Sequence, residues 1–186
     1  MRNKIYICSI TDQYVEYLRK FDDVVRENRE GRRKYIGVVF EMNNQKYYAP
    51  LSSPKLKYEK ISEKAPDIFK IDNGNLGVIN LNNMIPVPDN EIIRIDIESI
   101  DDEKYKNLLR NQAKFINSNH EKIKKKAKVL YSIVKSNTNL NLNKRCCNYK
   151  LLEIKCREYE NINAIREIAA TQENIGAAGV SGGGPA

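Results

Sequence analysis

At 186 residues the chain has the length of a single domain with a substantial core. Its 32 Lys and Arg against 24 Asp and Glu leave a formal charge of +8, which points to an acidic partner, either nucleic acid or a membrane surface. No apolar run approaches the roughly 20 residues that span a bilayer, and the opening Met1-Arg2-Asn3-Lys4-Ile5-Tyr6 lacks a signal-peptide core, so a cytoplasmic protein without a membrane partner is expected. Cys8, Cys146, Cys147 and Cys156 show neither a C-x-x-C spacing nor a histidine-rich neighbourhood. They are expected as reduced, mostly buried thiols, with no metal site and no cofactor.

In chain order, residues 4–10 alternate Ile5 and Ile7 with Tyr6, Cys8 and Ile10, the pattern of a strand buried on both faces. Thr11 or Asp12 then caps a helix whose Tyr14, Tyr17, Leu18 and Phe21 share a face. Residues 22–34 are charge-dense and read as an exposed loop that delivers Arg26, Arg29, Arg32, Arg33 and Lys34 to the next element. That element is a hairpin. A β-branched and aromatic run, Tyr35 to Met42, meets an Asn43-Asn44 pair that tolerates the positive φ of a tight turn, and a second aromatic run follows. The second strand is expected to stop at Ala49-Pro50, because proline cannot donate to a ladder.

Residues 56–68, lysine-rich and broken by Pro66, predict a short helix or an irregular excursion. Short strands are expected at 69–71 and 76–81 around an Asp72-Asn73-Gly74-Asn75 turn, with another turn at Asn82-Asn83 before Met84-Ile85-Pro86-Val87. From 91 to 98, Ile93, Ile95 and Ile97 alternate with Arg94, Asp96 and Glu98, as in a half-buried strand. Several short strands with tight turns and no βαβ rhythm predict an α+β protein, a small, strongly bent antiparallel sheet or barrel packed with helices.

Ser99 with Asp102 fits a helix start, and Tyr105, Leu108, Leu109, Gln112, Phe115 and Ile116 make one face of that helix. The spacing continues through Ile123, Ala127, Leu130 and Val134, with either a break or an uninterrupted run at 117–120. Lys122, Lys124, Lys125, Lys126 and Lys128 fall mostly off this stripe, giving either a solvated face or one that holds an acidic partner. Charge is segregated: residues 121–160 hold eleven Lys and Arg against four Asp and Glu, and residues 89–103 hold seven Asp and Glu against Arg94. An asparagine-rich linker, 136–143, precedes a last helix from Asn148 to about Tyr159. The domain is expected to span 1–170, and 171–186, which end in a glycine-rich stretch, to form a disordered tail or an expression remnant.

The loop after Pro50 presents Ser52, Ser53 and Lys55 at a strand end stiffened by two prolines. By residue type alone it suits a turn with capping hydroxyls as well as a reactive set. Three blocks decide between these: Tyr35–Lys55, Asn75–Val87, and Asp102–Leu109 with Gln112 and Phe115, preceded by Tyr14–Asp22. In that order they resemble the ToxN/AbiQ family, the endoribonuclease toxins of type III toxin–antitoxin and phage abortive-infection systems.

The resemblance implies a bent sheet similar to the Kid/MazF toxins and RNA cleavage without metal, leaving 2′,3′-cyclic phosphate and 5′-OH ends. Ser52, Ser53 and Lys55 match the family's active-site motif, with Ser53 bonding the 2′-OH or scissile phosphate and Lys55 stabilising charge or moving a proton. Arg33 falls where the family places a lysine, with Lys34 beside it; arginine grips phosphate bidentately but keeps its proton. Arg29 aligns with a tyrosine of some relatives. Phe115 matches a helical aromatic that stacks on a base or packs in the core, and Lys122, Lys124, Lys125 and Lys128 would hold a folded RNA by its phosphates. The implied partners are a small repeat RNA antitoxin, a pseudoknot that the toxin cuts and keeps in a closed toxin–RNA ring, and target mRNA and phage RNA, cut at adenine-rich sites. His120, the one histidine, lies among helix-breaking residues and is assigned no chemistry. The rival readings are a non-catalytic RNA-binding module that depends on the basic helices alone, and a toxin inhibited by a protein.

Overall fold

The computed structural model describes residues 5–178. Its strands are β1 (Tyr6–Ile10), β2 (Tyr35–Met42), β3 (Gln45–Ser52), β4 (Ile68–Lys70), β5 (Val78–Asn80), β6 (Ile85–Pro86) and β7 (Ile92–Arg94), and its helices α1 (Asp12–Arg19), α2 (Glu103–Ser118), α3 (His120–Ser136), α4 (Leu140–Asn143) and α5 (Tyr149–Ala178). The strands form one antiparallel sheet in the order β4-β5-β3-β2-β1-β7, with β6 on β3. Among the described residues this sheet is open, so the α+β class holds in its bent-sheet form and not as a closed barrel. None of the described helices is long and apolar enough to cross a membrane.

The β2–β3 hairpin is the sheet's spine. Asn43 and Asn44 take φ of 52° and 62°, the two left-handed positions that a two-residue turn with the right twist requires. Its ladder shifts register between Ile36 and Phe40, and there the missing side chain of Gly37 makes room for the Tyr48 ring. A Cβ on Gly37 would lie 2.0 Å from that ring. Tyr48 in turn shares a 2.8 Å hydrogen bond with the Tyr6 hydroxyl of β1.

The strand does not stop at Pro50. It runs two residues further, because β3 changes partner at that point, pairing with β6 through Tyr47 and Tyr48 and with β5 through Leu51 and Ser52. Pro50 falls in the gap between the two partners, where a missing N–H costs no ladder bond. On the other edge the Leu51 N–H donates to the Lys34 carbonyl at 2.8 Å, so the chain stays in the sheet up to the loop that carries Ser53 and Lys55.

Three further expectations are corrected. Helix α2 starts at Glu103, capped by Asp102, whose carboxylate accepts from the Lys104 and Tyr105 N–H groups at 2.9 and 3.0 Å; Ser99 closes a 3₁₀ turn instead. The isoleucine-alternating stretch pairs over only Ile92–Arg94, and Ile93 points outward at 49 % exposure, because β7 is an edge strand with β1 as its partner. The last helix runs far beyond Tyr159, reaching Ala178, so 171–178 of the expected tail are helical and 179–186 lie outside the described residues. The helical run past Ser118 breaks at Asn119, and the expected linker contains the short α4, capped by the Asn139 side chain.

Helices α3 and α5 pack on the hairpin through aromatic rings. Tyr47 stacks on Phe40 with centroids 4.4 Å apart and meets Tyr131 and Tyr149 edge-on. The buried Glu153 of α5 accepts from both the Tyr47 and the Tyr131 hydroxyls, and its carbonyl accepts from Gln45 at 2.9 Å. All four cysteines are free and buried, as expected.

Candidate active site

Where β3 runs out, the chain borders a cavity of about 970 Å³. One wall is the loop between α1 and β2, which contributes Arg26, Arg29, Arg32, Arg33 and Lys34. The end of β3 adds Ser52, Ser53 and Lys55, and the rest of the lining comes from the segment 57–68, from Asn80 and Asn82, and from α2. The loop takes its shape from three successive left-handed residues, Arg29, Glu30 and Gly31 at φ 57°, 56° and 70°, pinned by the Gly31 N–H donating to Asp12 at 3.0 Å. Buried Asn28 adds bonds to the Ile10 carbonyl at 2.7 Å and to Asp12 at 2.8 Å.

The loop that carries Ser52, Ser53 and Lys55 is equally well held. Asn80 of β5 donates through one amide nitrogen to the Pro50 carbonyl at 3.1 Å and to Ser52 Oγ at 3.0 Å. As Ser52 Oγ accepts there, its own proton remains available for a ligand. Gly77, at φ +95°, lies so close beneath that a Cβ on it would sit 2.0 Å from the Ser52 carbonyl oxygen and 3.0 Å from the Ser53 carbonyl carbon. Buried Gln112 of α2 fixes this contact by donating to the Leu76 carbonyl at 2.7 Å. Ser53 and Lys55 themselves are exposed.

The electrostatics run one way. Seven cationic residues line the cavity, and its described lining holds no carboxylate, imidazole or thiol. Such a donor set suits phosphates and not a divalent cation, which needs anionic or neutral ligands. Burial pushes the Lys34 amine below the ordinary lysine range, while its Nζ donates to Ser9 Oγ at 3.1 Å and to the Gly31 carbonyl at 3.2 Å. Burial, with Arg29 and Arg26 nearby, likewise lowers Arg33. Arg33 Nε is occupied by the Glu27 carbonyl at 2.7 Å, which orients the guanidinium and leaves its terminal nitrogens for the cavity.

Six of the residues singled out in the sequence therefore meet at one place: Ser52, Ser53, Lys55, Arg29, Arg33 and Lys34. Phe115, Lys122, Lys124, Lys125 and Lys128 do not line it. Phe115 is half-buried against the core, and Lys122, Lys125 and Lys128 are exposed along α3. That helix is tied to the loop beyond the site, since Lys126 donates to the Glu63 carbonyl at 3.1 Å. Asn80 and Tyr105 were missed. Asn80 falls inside the strand expected at 76–81, where nothing in the sequence marks its side chain as a positioning group, and Tyr105 shares the apolar stripe of α2 with true core residues.

A cationic cleft set with hydroxyls at the end of an antiparallel sheet is the equipment of a protein that handles nucleic acid. Comparison with known proteins narrows the class. Residues 6–157 match the family model described as "Toxin ToxN, type III toxin-antitoxin system". Endoribonuclease ToxN of Pectobacterium atrosepticum is 34% identical over 160 residues, covering 81% of this chain and 91% of that protein. The solved structure of AbiQ, a lactococcal anti-phage endoribonuclease of a type III toxin–antitoxin system, superposes with a TM-score of 0.76 at 31% identity, covering 86% of this chain and 99% of that one. Another similar structure, from a study of selective toxin inhibition by a non-coding RNA pseudoknot, has a TM-score of 0.73 at 30% identity, with 85% and 99% covered. The chain belongs to the ToxN family of type III toxins.

Proposed function

We propose that this endoribonuclease toxin cuts RNA by transesterification without a metal, the substrate's own 2′-OH attacking the adjacent 3′-phosphate. The 2′-oxygen bonds to phosphorus as the bond to the 5′-oxygen breaks, leaving a 2′,3′-cyclic phosphate and a 5′-OH. The observation that carries this reading is the convergence of Ser52, Ser53, Lys55, Arg33 and Lys34 on a carboxylate-free cavity. Such chemistry needs alignment, two proton transfers and charge stabilisation on the phosphorane, and no other nucleophile. Ser53 and Ser52 donate to the non-bridging oxygens, the Arg33 terminal nitrogens neutralise the extra charge, Lys34, lowered by burial, accepts the 2′-OH proton, and protonated Lys55 stabilises the phosphorane and gives a proton to the departing 5′-oxygen. Arg29 extends the cationic wall along neighbouring phosphates.

The regulatory half of the proposal is that a repeat RNA folding as a pseudoknot is processed and then retained by the toxin, in a closed assembly held by phosphate contacts, and that target mRNA and phage RNA are cut once the toxin is released. It is supported by the solved relative inhibited by a non-coding RNA pseudoknot and by the exposed lysines of α3. The test is cleavage of a long natural RNA by purified, RNA-free protein in excess EDTA, alongside Lys55→Ala, with the product ends identified. Cyclic phosphate ends that form without metal and fall at least about 100-fold in the variant are expected, the scale of an electrostatic stabiliser. Intact RNA would favour a non-catalytic binding module; undiminished cleavage by Lys55→Ala would remove Lys55 from the site.

A further inference from the structure

The cavity has a second wall that phosphate chemistry does not use. On α2, Tyr105, Leu108, Leu109 and Gln112 all face it, the i, i+3, i+4, i+7 stripe of one helix face. Leu109 and Gln112 are buried and fix the helix, but Tyr105 and Leu108, one turn nearer the N-terminus, stay half-exposed. Ile61 and Ile68, also half-exposed, and the buried Tyr58 line the same cavity. The cavity thus joins partly exposed apolar side chains to a cationic lining. The ligand it fits carries anionic groups beside flat apolar faces, as a splayed-out nucleotide does and a duplex does not.

We propose that Tyr105 and Leu108, with Ile61 and Ile68 of the same cavity, form a base-binding subsite that takes one unstacked nucleobase of the RNA next to the scissile phosphate. The Tyr105 ring is the stacking platform, and the aliphatic side chains supply the apolar surroundings of the base. Burial raises the Tyr105 phenol above its ordinary value, so it stays a neutral hydrogen-bond donor to the edge of that base. The family resemblance implied either base stacking or core packing for Phe115; Phe115 packs against the core, and the proposed stacking residue lies ten positions earlier on the same helix. This inference rests on the reading of the cavity as an RNA cleft, and the subsite is what makes cleavage depend on the base.

The test separates the two. An adenine-rich 2′-O-methyl oligonucleotide cannot be cut, and 2-aminopurine placed at each position in turn reports stacking by fluorescence quenching. With wild-type protein one position is expected to quench, and an abasic residue there to weaken binding roughly 5- to 150-fold, the range for one stacked base. Tyr105→Leu, which keeps apolar volume, loses the quench, weakens binding of the intact oligonucleotide by a similar factor and no longer responds to the abasic change. Leu108→Ala is the independent second variant and weakens binding only of the base-bearing oligonucleotide. Equal binding of abasic and intact oligonucleotides, or a quench that persists in Tyr105→Leu, overturns the subsite. Base-dependent binding without any cleavage of natural RNA would overturn the proposed reaction and leave the subsite standing, whereas Lys55-dependent cleavage without base dependence would do the reverse.

Discussion

Gly77→Ala tests whether the backbone beneath the reactive loop sets the reaction geometry. The new Cβ would lie 2.0 Å from the Ser52 carbonyl oxygen, far inside contact distance, and that neighbour is backbone with no rotamer to change. The φ of +95° adds a conformational cost of about 1–2 kcal/mol for an L side chain, and relief of the overlap adds about 1–3 kcal/mol. For a chain of this size each kcal/mol lowers Tm by roughly 2–4 °C, so a drop of roughly 4–20 °C is expected with the fold retained. Relief of the overlap moves the Ser52–Ser53 peptide by an ångström or so, a displacement that costs on the order of 100-fold in rate. The assay is single-turnover cleavage of a fixed RNA, with Tm measured on the same preparations. Gly31→Ala is the control: its φ is +70° but nothing lies within 4 Å of the added Cβ, so it carries the conformational cost alone. If Gly77→Ala cleaved within about threefold of wild type while its Tm fell as expected, the loop's position would not be what limits the reaction.

A proton-accepting Lys34 makes the cleavage rate rise with pH up to its lowered pKa, because the neutral amine is the active form. Lys34→Arg keeps the charge but removes that rise, with a loss of about 100-fold or more on the alkaline side; an unchanged pH profile would assign the proton to another group. The buried thiols predict alkaline unfolding. Burial pushes Cys8 up to about 12 and Cys146 and Cys156 up to about 11, against 9.0 for an unfolded thiol. The folded state holds these protons more tightly, so the stability they contribute is full below about pH 9 and is lost as pH rises through 11 to 12. Thermal melts across that range, and thiol reagents that react only on unfolding, check it.

Local chemistry made the hairpin legible. Positive φ at Asn43 and Asn44 and the β-branched run before them are decided within a few residues, and so is the cation-rich loop that ends in Arg33 and Lys34. What the sequence hid are relations set by distant partners. Pro50 reads as a terminator until β5 and β6 are seen to divide β3 between them, and Ile93 reads as core until β7 is seen to be an edge. Asn80 and Gln112 position the site from 28 and 36 residues away from their partners Ser52 and Leu76, by bonds that no local pattern encodes. Tyr105 was hidden by a different cause. A helix stripe marks the inward face but not where the core ends along it, and Tyr105 lies just beyond that end.

The Glu153 hub has a bearing on timing. Residues that shape the reactive loop are made early, yet Gln45 and Tyr47 find their partner 108 and 106 residues later, and Asp22 caps the start of α5 by accepting from the Asn148 N–H 126 residues on. Until that last helix emerges from the ribosome, the hairpin's polar groups have no buried partner and the cleft no firm scaffold. Docking of that last helix, which begins only at Tyr149, is therefore the step that buries these polar groups and completes the hairpin's support.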